Sequence, residues 1–163
     1  EKGRVRLYTD NPKPRLDYGQ DLSDRVDGEH LVYYRDPEEC GIDNPLAEKY
    51  PLVYLQEHSR FRVHTQWGRV PLLRELDPEP LAKVNGKDAA ERGVTTGDLV
   101  EVYSPSGSVT VKAMLTRRIH TGTVEVAHGY TEANISQVVS DQHQNPYTGF
   151  PGYKASRCNI RKV

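Results

Sequence analysis

Long apolar runs are missing from this chain. The longest candidates, Leu31 to Tyr34 and Leu52 to Leu55, suit short strands and fall far below the roughly 20 residues that a membrane-spanning helix needs. Cysteine is equally sparse. Cys40 and Cys158 lie far apart and form no CxxC pair or ligand-spaced cluster, so they define no thiolate metal site and leave the redox compartment open. An excess of charge of one sign is also absent. The net charge of −1 excludes a general cationic footprint for nucleic acid, which needs many uncompensated Lys and Arg near phosphates. There is no nucleophile elbow, no phosphate-cradling GxxxxGK loop and no Rossmann fingerprint. The chain lacks an initiating methionine and a charged-then-apolar signal pattern. It starts close to Val5-Arg6-Leu7-Tyr8, which reads as a strand, and we expect it to be a piece of something longer. Localisation stays open between prokaryotic cytoplasm and periplasm.

What is present describes a folded, turn-rich domain. The 163 residues are 28% charged and 36% hydrophobic, with 11 prolines and 13 glycines, and that length fits a single domain spanning 1–163. Thr9 to Gly28 is rich in Asp, Asn, Pro and Gly and reads as an irregular surface segment. His30 to Tyr34 reads as a short strand. The acidic, Pro-containing stretch from Asp36 to Pro51 leads into Leu52 to Leu55, a buried strand. Leu72 to Leu76 suits one or two helical turns. Asn85 is placed to cap a helix over Lys87 to Arg92 that ends at Gly93, with Asp88 in its first turn and Ala89 and Ala90 as its packing face. Thr96-Gly97-Asp98 turns into a strand at Leu99 to Tyr103. Ser104 to Gly107 fits a type I turn that joins it to Val109 to Leu115 as a hairpin. His120-Thr121-Gly122 precedes a strand at Thr123 to Ala127, and Arg157 to Val163 is the last strand. Residues 128 to 156 show no period, and a loop of that length returning to a strand favours a functional role. Strands without long helices between them point to a mainly β domain, with closure into a barrel removing exposed edges.

One segment stands out chemically. Residues 58 to 67 read His-Ser-Arg-Phe-Arg-Val-His-Thr-Gln-Trp. If extended, His58, Arg60, Arg62, His64 and Gln66 share one face, while Phe61, Val63 and Trp67 are apolar. If helical, Arg60, His64 and Trp67 converge instead. Either geometry presents guanidinium, imidazole and amide donors suited to a large, flat anion. Taken alone, Arg60 and Arg62 also fit a solvated strand face, and His64 fits a hydrogen-bonded structural residue. Phe61 and Trp67 are assigned to the core. His58 and His64 have no carboxylate or cysteine partner at suitable offsets, so the sequence reading assigns no metal ligand. Asp88 is most simply a helix-start residue, Arg117-Arg118 a surface step, and Lys154, taken alone, a solvated loop lysine.

The order of these motifs resembles a known family. Pro51 through Gln66, followed by Leu81 through Val102, resembles the C-terminal dinucleotide-binding domain of the molybdopterin oxidoreductases, the dimethyl sulfoxide reductase superfamily. Arg62-Val63-His64-Thr65-Gln66 looks like the family's Arg-Leu-His-Ser-Gln segment. Asp88-Ala89 to Arg92-Gly93 and Gly97-Asp98 look like its helix-turn-strand signature. The resemblance runs from Gly3 to Tyr8 at the entry to Asn159-Ile160-Arg161 at the exit. Gly86 stands where the family often has Pro, which loosens the helix entry.

The resemblance implies a double-psi β-barrel with short helices and long loops, closing over a bis-(molybdopterin guanine dinucleotide) cofactor. It implies cofactor contacts from His58, Ser59, Arg60, Arg62, His64, Thr65 and Gln66. Further contacts would come from His128 and Tyr130 and from Asn145, Tyr147, Thr148, Tyr153 and Lys154 of the long loop. Planar donors and charge-assisted contacts suit a flat pterin and a pyrophosphate. Molybdenum or tungsten would belong to the parent oxidoreductase, with its protein ligand outside this chain, and the fragment alone would carry no catalytic residue. The other domains of the parent would be its partners, and an iron–sulfur subunit is compatible with the resemblance. The rival reading is a double-psi barrel used for peptide or protein recognition. A third, an oligonucleotide-binding barrel, is disfavoured by the net charge and by tyrosines concentrated in loops.

Overall fold

Alternating burial along the strands builds the molecule. The computed structural model describes residues 3–10, 30, 31, 34, 36–142 and 150–163. Strand β4, Ser108–Leu115, buries Val109, Val111 and Ala113 and turns Thr110, Lys112 and Met114 outward, as the two-residue side-chain period requires. Strand β3, Leu99–Tyr103, buries Val100 and Val102 by the same alternation. With β1 (Leu52–Glu57), β2 (Leu81–Val84), β5 (Thr123–Ala127) and β6 (Ser156–Lys162), they close a barrel in the order β1-β5-β2-β4-β3-β6. The pairs β1/β5 and β2/β4 are parallel and the other contacts antiparallel. This closed mixed barrel is the double-psi arrangement that the resemblance implied. Its interior holds Leu52, Tyr54, Val84, Val100, Val102, Val124, Val126 and Cys158, each at most 2% exposed. Valine dominates, and each buried valine contributes about 1.5 kcal/mol or more through removal of apolar surface from water.

Helix α3, Gly86–Glu91, follows the capping logic of the sequence. Asn85 Oδ1 accepts from the Lys87 N–H at 3.1 Å. At the other end Gly93 adopts φ 61°, with Gly93 N–H donating to the Ala90 carbonyl and Val94 N–H to that of Ala89, the paired bonds of a Schellman motif. The expected packing face is half right. Ala89 is buried, but Ala90 points to solvent and Asp88 takes the second buried position. Asp88 Oδ2 accepts the Gly122 N–H at 2.8 Å, so it ties the helix to the turn before β5 as well as favouring the helix start. Helix α2, Pro71–Leu76, occupies the expected place.

Elsewhere the structure departs from expectation. Val5 to Tyr8 forms no regular strand: Tyr8 makes one bridge to Leu31, which is also all that the described residues show of the strand expected at His30 to Tyr34. Most of the segment from Thr9 to Gly28 lies outside the described residues. The stretch from Asp36 to Pro51 contains a short helix α1, Leu46–Lys49, and Glu39 and Arg157 fasten it to the barrel. Glu39 accepts the Arg157 N–H at 2.5 Å, and the Arg157 guanidinium donates to the carbonyls of Cys40, Gly41 and Pro51. The long loop after β5 is partly core, because a 3₁₀ turn at Ile135–Val138 buries Ile135 and Val138. Residues 58 to 67 are neither strand nor helix. They form consecutive tight turns, and Trp67 is 58% exposed rather than core. Alternation assigns faces only to an extended chain, and the positive φ of 65° at Trp67 breaks it.

Candidate cofactor-binding cleft

Parallel pairing of β1 with β5 creates the site. Glu57 is in register with Ala127, so the next residues, His58 and His128, leave the barrel side by side. Their rings meet edge to face with centroids 4.4 Å apart. His64 completes a trio, 4.8 Å from His58 and 5.1 Å from His128 between centroids. The Glu57 carbonyl accepts from both the His128 backbone N–H at 3.1 Å and His128 Nδ1 at 2.8 Å. A carbonyl can only accept, so Nδ1 carries the proton and Nε2 of the neutral ring presents a lone pair. His64 Nδ1 lies 2.9 Å from that Nε2 and must be the donor. The backbone thus sets the tautomer of His128, and His128 sets that of His64.

A tight turn delivers His64. Val63 and Gln66 exchange backbone hydrogen bonds of 3.4 and 2.9 Å, with His64 and Thr65 at the tip. His64 has φ 54°, a left-handed conformation that costs a non-glycine residue about 1 kcal/mol or more. Gly129 lies directly beneath. Its φ is +95°, and a Cβ there would sit 2.1 Å from the His64 carbonyl oxygen, so no other residue permits this approach.

The turn is held by a clamp centred on Asp77, just beyond α2. Arg62 Nε pairs with Asp77 Oδ2 at 3.2 Å, Nη2 donates to the Asp77 carbonyl at 3.3 Å, and Nη1 donates to the Gly129 carbonyl at 3.1 Å. The guanidinium carbon lies 3.8 Å from the centre of the Tyr130 ring, a cation–π contact. Ser59 Oγ donates to Asp77 Oδ2 at 2.5 Å and Tyr130 OH donates to Oδ1. Partial burial pushes the Asp77 carboxyl upward, but hydrogen bonds from Ser59, Tyr130 and Arg62 outweigh it and hold the group below the usual carboxylate range. Burial, then the bond to Asp77, raises the Tyr130 phenol.

These elements enclose a cleft of about 600 Å³. Of the residues expected to bind cofactor, His58, His64, Thr65, His128, Tyr130, Tyr153 and Lys154 line it, and none of the lining residues is a carboxylate. Crowding by protein atoms, then His128, His64 and Lys154, lowers the pKa of His58. The other expected residues divide. Arg62 is buried at 8% exposure in the clamp. Ser59 and Arg60 line a neighbouring cavity of 630 Å³ with Phe61, Asp77 and Lys83. Gln66 is exposed and closes the turn through its backbone. Asn145, Tyr147 and Thr148 lie outside the described residues. Sequence reading missed Gln56, Asn134 and Ser136 on the cleft wall and Asp77 in the clamp. Asp77 carried no signal beyond the turn implied by Asp77-Pro78, whereas His58 and His128 become neighbours once β1 and β5 are paired in parallel.

The fold and cleft define a closed β-barrel with a polar, carboxylate-free cleft at the ends of β1 and β5. Residues 52–157 match the family model of the molydopterin dinucleotide binding domain. The chain belongs to that family, within the dimethyl sulfoxide reductase superfamily. It is 37% identical over 131 residues to a putative catalytic chain of dimethyl sulfoxide reductase from Halobacterium salinarum, covering 80% of this chain and 15% of the relative. It is 26% identical over 145 residues to acetylene hydratase of Syntrophotalea acetylenica, covering 86% and 19%. In fold it is similar to the solved acetylene hydratase of Pelobacter acetylenicus, with a TM-score of 0.75 at 22% identity, covering 82% of this chain and 21% of that one. The chain therefore spans only about a fifth or less of these relatives' length.

Proposed function

We propose that this chain is the cofactor-closing domain of a larger molybdenum- or tungsten-dependent oxidoreductase. In this reading it holds molybdopterin guanine dinucleotide in the cleft at the ends of β1 and β5 and covers one side of the parent's active site. The observation that carries the proposal is the convergence of His58, His64, His128, Thr65 and Lys154 on one concave surface free of carboxylates. Imidazole, hydroxyl and ammonium groups on such a surface offer acceptors as well as donors to the hydrogen-bonding edge of a pterin, and the hydroxyl and ammonium donors suit the oxygens of a pyrophosphate. The donor set therefore fits the group.

Bound there, the cofactor would supply the redox chemistry through its metal and dithiolenes. The chain's own residues bind and orient. His64, presented at the turn tip with Nδ1–H committed to His128, has Nε2 left for the ligand. Lys154 offers positive charge to anionic oxygens, and His58, its pKa lowered by its surroundings, offers a neutral imidazole hydrogen bond. Arg62 braces the turn from below instead of touching the ligand, and Gly129 lets the turn and the strand end meet. No residue of this chain is assigned a bond-making step, so the fragment by itself should not turn over substrate. The other domains of the parent are its expected partners.

The test is the pterin and metal content of the full-length parent carrying His64→Ala or Lys154→Ala. Retention should fall in both, more steeply for His64→Ala. Full cofactor content with full activity in both variants would remove the assignment.

A further inference from the structure

We propose that His58, His64 and His128 also form a binding site for a divalent transition metal ion of the zinc, cobalt, nickel or copper type. One ligand atom from each of the three rings can be chosen so that all lie within 4.8 Å of one another. Tetrahedral coordination at metal–nitrogen distances of about 2.0 Å needs nitrogens about 3.3 Å apart. His64 and His128 already present nitrogens 2.9 Å apart, so the main adjustment is a rotation of His58. Among the described residues no hydrogen bond holds the His58 ring, which is exposed, and it is free to make that rotation.

The second observation is the anchor behind His128. Metal-binding histidines characteristically donate their other ring N–H to a carbonyl or carboxylate, which fixes ring orientation and raises ligand basicity. His128 has this arrangement in place, with Nδ1–H on the Glu57 carbonyl and Nε2 facing the trio. The proton on His64 Nδ1, now shared toward His128 Nε2, occupies the place that a cation would take. Ion binding requires His64 to change tautomer: Nδ1 gives up its proton while Nε2, which faces solvent, takes one up, so no net proton is released and three neutral imidazoles hold the metal with a fourth position open to the cleft.

Donor type sets the metal class. Three imidazoles with neither carboxylate nor thiolate among the cleft-lining residues favour borderline transition ions over magnesium or calcium, which need oxygen ligands. Three separate backbone segments supply the ligands: the end of β1, the turn tip and the end of β5. The site thus depends on the fold and on the parallel register that joins the two strand ends.

The test uses the full-length parent made in a host unable to synthesise the pterin, because the dinucleotide is proposed for the same cleft. Titration with Co²⁺, followed by the visible absorption of the bound ion and reversed by Zn²⁺, should reveal one equivalent per chain at this site. His128→Gln and His58→Gln should each weaken that equivalent by more than about tenfold. His120→Gln, exposed in the turn before β5 and outside the trio, should leave it unchanged. His58→Gln should also leave the melting temperature unchanged, which separates ligand loss from misfolding. Absence of saturable Co²⁺ binding, or binding that survives in both trio variants, would overturn the metal site. Neither result bears on the cofactor reading, which is measured on pterin-loaded protein.

Discussion

Two polar groups grow from the same ten residues and have opposite character. Arg62 and Ser59 turn into the protein, where Asp77, Tyr130 and the Gly129 carbonyl satisfy every one of the guanidinium nitrogens. His58 and His64 turn outward and meet His128 with ring nitrogens left over. A buried charge is tolerable only when paired, and each nitrogen of the first group's guanidinium already has a protein partner. The second group keeps unspent donors and acceptors on a concave surface. The contrast separates bracing from binding inside one motif that, read linearly, presents five equivalent polar side chains.

Breaking the brace should produce the largest effect. Asp77→Ala leaves Arg62 buried without its counter-ion and should lower stability by about 3 kcal/mol, measured by chemical denaturation. Gly129→Ala comes next. It forces a Cβ against the His64 carbonyl in a left-handed conformation and should cost about 2 kcal/mol while displacing the trio, an outcome readable in the His64 and His128 NMR resonances.

A pH experiment sharpens the comparison further. Because hydrogen bonds and Arg62 depress the Asp77 carboxyl in the folded state, its contribution is complete above the ordinary pKa of 3.8. It is lost progressively as pH falls from there through the lower folded value. Asp77→Asn should flatten the decline of the melting temperature below that pH, and an unchanged slope would contradict the assignment. The smallest effect belongs to an exposed member of the trio, where His58→Gln should shift stability by less than about 0.5 kcal/mol.

Much of the barrel was legible in the sequence because its signals are local. Alternation in Leu99 to Tyr103 and Thr123 to Ala127, the Asn85 cap and the Gly93 stop each depend on neighbours only a few residues away. The site was legible mainly through the resemblance, and only as a set of residue types. Where each of them points was decided by two facts without a local signature: the parallel register of β1 with β5, and positive φ at His64 and Trp67. The first brings His128 beside His58 across 70 positions of chain. The second defeats any reading of faces from alternation, which is why Trp67 was misplaced in the core and Arg62 was grouped with the outward donors. Asp77 was missed because its partners, Ser59, Arg62 and Tyr130, lie 15 to 53 residues away in sequence.

The central claim is that binding and bracing are separable, and it meets its most direct test in one paired measurement on the full-length parent. Pterin content and melting temperature are measured side by side for His64→Ala and Asp77→Asn. The account predicts that His64→Ala loses cofactor when prepared in a pterin-competent host yet melts like the wild type when both are prepared cofactor-free, while Asp77→Asn melts at a lower temperature in the cofactor-free state as well. Full cofactor content in His64→Ala, or an equal loss of cofactor-free stability in both variants, would contradict it.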